Sequence, residues 1–127
     1  MGIAWWQGAF SIYSKGDAMS ASREFIEYVR ELLLPLGPLA DGHFFGGFAF
    51  KSGDRQFAMI MGNTLYFRVN EASRGHYERE GMAPFSYSTK KGIVQVKKFY
   101  AVPENLFDEQ DALILKAREA IHAAYGA

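Results

Sequence analysis

Hydrophobic residues recur with a helical period in the first third of the chain. They fall at positions i, i+1, i+4, i+7, i+8 and i+11, namely Phe25, Ile26, Val29, Leu32, Leu33 and Leu36. This spacing places them in one stripe along a helix, with charged residues on the opposite side. Ser20 or Ser22 can cap the first N–H groups, and Pro35 followed by Gly37-Pro38 ends the pattern. The pattern predicts an amphipathic helix over residues 22–36.

The next part of the chain consists of short apolar runs rich in aromatic residues. Residues 43–50, 56–61 and 64–69 each have the length of a strand. Gly62-Asn63 can supply the positive φ of a tight type II′ turn, and Ser52-Gly53-Asp54 is typical of a looser turn. We therefore predict three antiparallel strands.

The last of these runs alternates between apolar and mixed positions. Leu65, Phe67 and Val69 fall on one face of a strand, whereas Tyr66 and Arg68 fall on the other. Such alternation is typical of a sheet that buries one face and exposes the other to solvent.

Further helix and strand signals follow in the second half of the chain. Asn70 or Ser73 can begin a short helix that runs to about Glu80 and ends at Gly81. Asp108 is a good N-cap for a final helix. The remaining predicted elements are a strand at 85–89, a strand at 93–102 and this final helix at 108–125.

The predicted order is α-β-β-β-α-β-β-α, without repeats or linkers. It predicts an α+β fold in two layers, in which a five-stranded antiparallel sheet carries the helices on one face. We assign residues 20–127 to this one domain and residues 1–19 to an N-terminal extension.

Residues 1–19 contain both tryptophans but show neither a helical nor a strand period. Polar residues interrupt the apolar run that a secretory signal requires, and the segment is too short to span a membrane. Two interpretations stay open. The segment is an optional or non-native extension, with Met19 as an alternative start, or it is an arm that buries Trp5, Trp6 and Phe10 on its own domain or a neighbour.

Composition limits the classes of function. Of the 127 residues, 49% are hydrophobic and 22% are charged, which is ordinary for a globular domain. The 14 Lys and Arg residues balance the 14 Asp and Glu residues, so net charge gives no general attraction to nucleic acid or anionic membranes. The lack of cysteine excludes disulfides, thiolate zinc sites and a cysteine nucleophile. It fits the cytoplasmic location that we expect.

No motif in the sequence indicates catalysis. His43, His76 and His122 lack the spacing of metal ligands, and no G-x-S-x-G nucleophile elbow is present. Gly46-Gly47 has no P-loop sequence after it, so we interpret it as a bulge or bend within a strand. We predict no enzyme activity, no metal and no cofactor.

The basic residues form a candidate interaction surface. Four lysines belong to one predicted hairpin, where lysine usually protects the edge of a sheet from association. The alternative is a small patch for nucleic acid or an acidic partner, with two arginines nearby. The candidate residues are Arg68, Arg74, Lys90, Lys91, Lys97 and Lys98.

An ordered set of motifs resembles one protein family. The segments are Phe45-Gly46-Gly47, residues 65–74, residues 81–87 and Tyr100-Ala101-Val102-Pro103-Glu104. They resemble the M-F-G-G, L-Y-L-K-V-D-E, P-F-x-Y and Y-x-V-P-E steps of the TfoX N-terminal domain family, over residues 22–125. The resemblance implies a curled antiparallel sheet with flanking helices, similar in shape to secretion-chaperone-like domains.

The resemblance also sets an expectation for function. Named members of that family regulate natural competence together with the cyclic-AMP receptor protein, carry a second C-terminal domain, and bring no catalytic residues with them. For this chain we expect a stand-alone, bacterial-type domain that acts as a non-catalytic regulatory or adaptor module through contact with an unknown protein. Transcription or competence regulation is one such role. The alternatives are a weak nucleic-acid binder, and a small-ligand binder or enzyme that uses a concave aromatic sheet face. We expect no tight nucleic-acid binding and no membrane contact, and a homodimer stays open.

Overall fold

The computed structural model describes residues 20–126, and the interpretations of residues 1–19 lie outside that range. The helices in this range are α1 (Arg23–Leu32), α2 (Glu71–Arg79) and α3 (Gln110–Gly126). The strands are β1 (Ala40–Phe44), β2 (Gly47–Ser52), β3 (Arg55–Met61), β4 (Thr64–Arg68), β5 (Pro84–Thr89) and β6 (Gly92–Ala101). Short 3-10 turns occupy Leu34–Leu36 and Glu104–Asp108. The predicted α+β class is therefore confirmed.

The strand predicted at 43–50 is in fact two strands. Phe45 and Gly46 both have positive φ, 49° and 85°, and together they make a two-residue hairpin turn between β1 and β2. The prediction of a bulge or bend within one strand at Gly46-Gly47 is therefore wrong, and the sheet has six strands in place of five. The error arose because the apolar run continues through the turn, so that only the glycines mark it.

The six strands form one antiparallel sheet in the order β1-β2-β3-β4-β6-β5. β6 lies inside the sheet, paired with β5 over its first half and with β4 over its second half. Lys97 and Lys98 are thus on an inner strand, while the edge strand β5 contains no lysine. β4 pairs only with residues 99–101 of β6, so Lys97 lies outside the stretch that β4 covers, and protection of an exposed strand edge by these lysines stays a prediction.

The helix boundaries differ slightly from the predicted ones. α1 ends at Leu32, because Leu34–Leu36 tightens into a 3-10 turn at Pro35. α3 begins at Gln110 in place of Asp108, because Glu104–Asp108 forms a separate 3-10 turn.

Asn70 caps α2 through a reciprocal pair of hydrogen bonds. The Asn70 Oδ1 atom accepts from the Ser73 N–H at 2.8 Å, and the Ser73 Oγ atom accepts from the Asn70 N–H at 3.0 Å. This capping box satisfies two N–H groups and fixes the point at which the chain leaves β4 for the helix.

All three helices bury their apolar sides against one face of the sheet, as predicted. We call this layer the helix-side core. Its most buried large side chains are Val29, Leu33, Phe50, Phe57, Ile60, Leu65, Phe67, Tyr77, Tyr100 and Leu113. The helix-side core defines the main hydrophobic layer of the domain.

The opposite face, which we call the back face, carries a second hydrophobic cluster. This back core consists of Phe44, Ala49, Met59, Met61, Phe85, Tyr87, Val96 and Phe99. The expectation of a face exposed to solvent is therefore wrong. Alternation on β4 alone could not reveal this core, since most of it comes from other strands.

A register shift in the β5–β6 pair explains how the back core closes. Pro84 pairs with Tyr100, but the next residue, Phe85, pairs with Val96, so β6 has extra residues at this point and bends. The Phe85 ring lies 5.3 Å from the Tyr66 ring in an edge-on arrangement. The β5–β6 hairpin thus covers part of the back face, which makes the sheet curled.

Two adjacent leucines test the helix-side core. Leu33 is 1% exposed and Leu34 is 66% exposed. We expect Leu33→Ala to lower the free energy of unfolding by about 2–5 kcal/mol, because it leaves a cavity in a packed layer. Leu34→Ala should change it by less than about 0.5 kcal/mol. Chemical denaturation measures both, and similar losses in the two variants would contradict the packing.

Two glycines test the close approach of β2 to β3. A Cβ atom at Gly47 would collide with the Ile60 carbonyl oxygen and lie 2.8 Å from the Met61 Sδ atom, whereas at Gly42 nothing lies within 4 Å. We expect Gly47→Ala to destabilise the domain by about 3 kcal/mol through overpacking. Gly42→Ala should hardly change the melting temperature. It serves as the control, because alanine in place of glycine restricts the unfolded chain in the same way in both variants. Equal melting temperatures of the two variants would disprove the close approach.

Candidate functional site

The structure separates the four candidate lysines into two pairs. Lys90 and Lys91 lie in the turn between β5 and β6, and Lys97 and Lys98 are exposed on β6. A strand rises about 3.3 Å per residue, so Lys91 and Lys97 are roughly 20 Å apart along the strand. The four lysines are therefore spread along one hairpin, and a single small anion could not contact all of them.

Apolar side chains are exposed beside the first lysine pair. We call residues 89–94 the hairpin tip. Ile93 is 73% exposed and Val94 is 38% exposed. As neighbours in a strand they point to opposite faces, so the hairpin tip is apolar on both sides. Thr89 holds the turn in place: its hydroxyl donates to the Gly92 carbonyl oxygen at 3.0 Å and accepts from the Lys91 N–H at 3.1 Å.

Sequence reasoning assigned Ile93 and Val94 to a strand and missed their exposure. A signal was present, because two consecutive apolar residues in a pleated strand cannot both face the same core. Their position directly after the Lys90-Lys91-Gly92 turn also places them at the end of the β5–β6 hairpin.

Arg68 occupies a different environment from the lysines. It pairs with Phe99 across β4 and β6, and its guanidinium carbon lies 5.9 Å from the centre of the Phe99 ring. The side chain is half-buried, and its Nε atom is excluded from solvent without a hydrogen-bond partner. Burial lowers the pKa of Arg68, and the charge of Arg55 lowers it further. The surroundings of Arg68 therefore stabilise its positive charge poorly.

Two other arginines in the described range have acidic partners. Arg30 forms ion pairs with Glu27 and with Asp41, the latter at 3.0 Å, and the hydrogen bond to Asp41 raises the pKa of Arg30 above its usual value. Arg55 lies 3.9 Å from Asp54. Within residues 20–126, no carboxylate lies within 4 Å of Arg68.

Arg74 lies on the other side of the sheet from Arg68. It belongs to α2, near Tyr100, whose hydroxyl donates a 2.6 Å hydrogen bond to the Glu78 carboxylate. Burial raises the pKa of Tyr100, the Glu78 carboxylate raises it further, and the charge of Arg74 acts in the opposite direction. The structure therefore does not bring Arg68 and Arg74 together in one patch.

Two further side chains with titratable groups, His43 and Tyr77, pack against other residues of the domain. The His43 ring packs edge-on against Phe48 at 5.6 Å, and burial raises the pKa of Tyr77, which packs beneath the Lys116 ammonium at 4.3 Å. Over the range 20–126, no group of three or more potential metal ligands is close enough to hold an ion. In that same range no helix is both long enough and apolar enough to cross a membrane.

The comparison with known families agrees with the resemblance in the sequence. The family model of the TfoX N-terminal domain matches residues 31–124, which include all six strands and α2. No curated protein matches the chain. Because the matched region covers most of the sequence and the whole sheet, the chain belongs to the TfoX N-terminal domain family.

Proposed function

We propose that this chain is a non-catalytic regulatory or adaptor domain that acts through protein–protein contact, with the hairpin tip as its contact surface. The observation that carries the proposal is the exposure of Ile93 and Val94, 73% and 38%, at the end of the β5–β6 hairpin. An exposed apolar group rimmed by polar residues is typical of a protein interaction site.

The geometry favours a groove on the partner. The two apolar side chains point to opposite sides of the hairpin, so a flat surface could cover only one of them. Lys90 and Lys91 lie next to them and favour acidic residues around that groove, because complementary charge speeds association and selects partners. A role in transcription or competence regulation is one setting for such a contact, since family membership alone does not fix function.

Nucleic acid fits this surface less well. The chain has as many acidic as basic residues, and the exposed lysines are spread along the hairpin. Sequence-specific recognition requires a helix or ribbon that presents several side chains to base edges. Here the tip presents two aliphatic side chains, which offer no hydrogen bonds to a base.

Replacing Ile93 tests the proposed contact surface. We expect Ile93→Glu to abolish capture of the partner from native lysate by the immobilised protein, because it introduces a charge into the apolar contact. Leu115→Glu is the matched control, since Leu115 on α3 is 69% exposed and lies away from the hairpin. Quantitative mass spectrometry should find a protein retained by the wild type and by Leu115→Glu but lost with Ile93→Glu. Equal retention by both variants would rule out the hairpin tip, and retention of a second copy of this chain alone would indicate a homodimer.

Nucleic-acid binding provides a separate test. We expect weak binding to duplex DNA that varies little with sequence and falls steeply with salt, because only a few lysines can displace counterions. Electrophoretic mobility shifts on a panel of duplexes at low and moderate salt would measure this. Tight, sequence-selective binding that survives moderate salt would favour a DNA-binding regulator over an adaptor.

A further inference from the structure

Three polar side chains with hydrogen-bond donors occupy neighbouring strands at one end of the sheet. Lys51 in β2 pairs with Gln56 in β3, and Arg68 follows in β4. Neighbouring strands are about 4.8 Å apart, so the three residues start within about 10 Å of one another. We call Lys51, Gln56 and Arg68 the donor row.

A bulge in β3 places the donor row on one face. Lys51 pairs with Gln56 and Phe50 pairs with Ala58, which leaves Phe57 without a partner in β2. Phe57 and Ala58 both lie in the helix-side core, so Gln56 turns to the back face. Ala58 of β3 pairs with Phe67 of β4. If this pairing continues by one residue, Phe57 comes opposite Arg68, and Gln56 is the next residue of β3.

The other two members of the donor row face the same way. Phe50 belongs to the helix-side core, and since side chains alternate along a strand, Lys51 points to the back face. Arg68 lies over Phe99, which belongs to the back core. All three donors therefore share the back face, and of the three Arg68 lies over the ring of Phe99.

The donors lack acceptors. The Gln56 Nε2 atom and the Arg68 Nε atom are both excluded from solvent and have no hydrogen-bond partner. Leaving such a group unsatisfied costs about 1–3 kcal/mol, and more when it is charged. In the described range, no carboxylate lies within 4 Å of Lys51 or Arg68. The nearby charge of Arg55 adds to the positive potential at Arg68.

We propose that the donor row binds a small molecule through an oxyanion, a phosphate or a carboxylate, with Arg68 and Gln56 as the principal contacts. A guanidinium offers two parallel N–H groups to such an oxyanion, and the Gln56 amide offers a further donor. Lys51 adds a positive charge at the other end of the row, which suits a ligand with two acidic groups. This site is distinct from the hairpin tip and does not depend on the function proposed for the tip.

The test follows the side-chain resonances of the wild-type protein in solution. Inorganic phosphate, pyrophosphate and citrate are titrated at constant ionic strength while ¹H–¹⁵N spectra record the Arg68 Nε–H and Gln56 Nε2 signals. We expect saturable shifts of both signals, larger for pyrophosphate or citrate than for phosphate, because two acidic groups can reach Lys51 as well. Pyrophosphate and citrate distinguish a preference for phosphate from one for carboxylate. An absence of saturable shifts with all three would overturn the proposal.

Three variants separate a defined site from general charge. Arg68→Lys keeps the charge but removes the Nε–H group, and Gln56→Met removes the amide donor at similar length. We expect the Kd of the better ligand to rise at least about tenfold in Arg68→Lys, which corresponds to about 1.4 kcal/mol, and severalfold in Gln56→Met. Lys91→Met removes a charge from the exposed turn and should leave the Kd within about twofold.

Weaker binding in Lys91→Met together with an unchanged Kd in the charge-conserving Arg68→Lys variant would show general charge attraction and overturn the proposal. Circular dichroism checks that each variant is folded. If Arg68→Lys does not fold, the Gln56→Met variant and the wild-type side-chain shifts decide the outcome, since neither requires a change at Arg68.

Discussion

The central constraint on this fold is that β3 is buried on both faces. Residues 57–61 are each between 0% and 3% exposed, although side chains along a strand alternate between its two sides. Each side therefore needs its own apolar cover. The three helices provide one cover, and the bent β5–β6 hairpin contributes to the other. Two features of the fold go with this double burial. The bulge at Phe57 lets two adjacent β3 residues face the helices. The absence of a side chain at Gly47 lets β2 approach the Ile60 carbonyl group.

This double burial also determines where function can reside. Most of the aromatic residues fill the two cores; for example, Tyr66 packs edge-on against Phe85 on the back face. Two candidate sites lie where the double burial ends. One is the hairpin tip, where Ile93 extends beyond both cores. The other is the donor row, where Gln56 and Arg68 stand beside the back core with hydrogen bonds unmade. We propose both as recognition surfaces, and they suit different ligands.

The sequence could predict features that depend on neighbouring residues. The stripe of α1, the positive φ of Gly62 and the cap at Asn70 follow from local rules, and the structure has all three. Features that depend on distant pairing could not be predicted. The insertion of β6 between β4 and β5 places Lys97 and Lys98 on an inner strand, and it brings β5 and β6 residues into the back core. Arg68 was a candidate because it is basic. That its Nε atom and the Gln56 Nε2 atom both lack a hydrogen-bond partner can be seen only once the strands are paired.

Native-state hydrogen exchange of β3 tests the double burial most directly. The amides of Ala58, Met59 and Ile60 are expected to exchange only through global unfolding, with an opening free energy equal to that from chemical denaturation, since removing either cover exposes one side of the strand. The amides of the hairpin tip should exchange through local opening at a much lower free energy. Exchange of the β3 amides at a free energy well below that of global unfolding would contradict the account, because it would show that β3 can open while the rest of the domain stays folded.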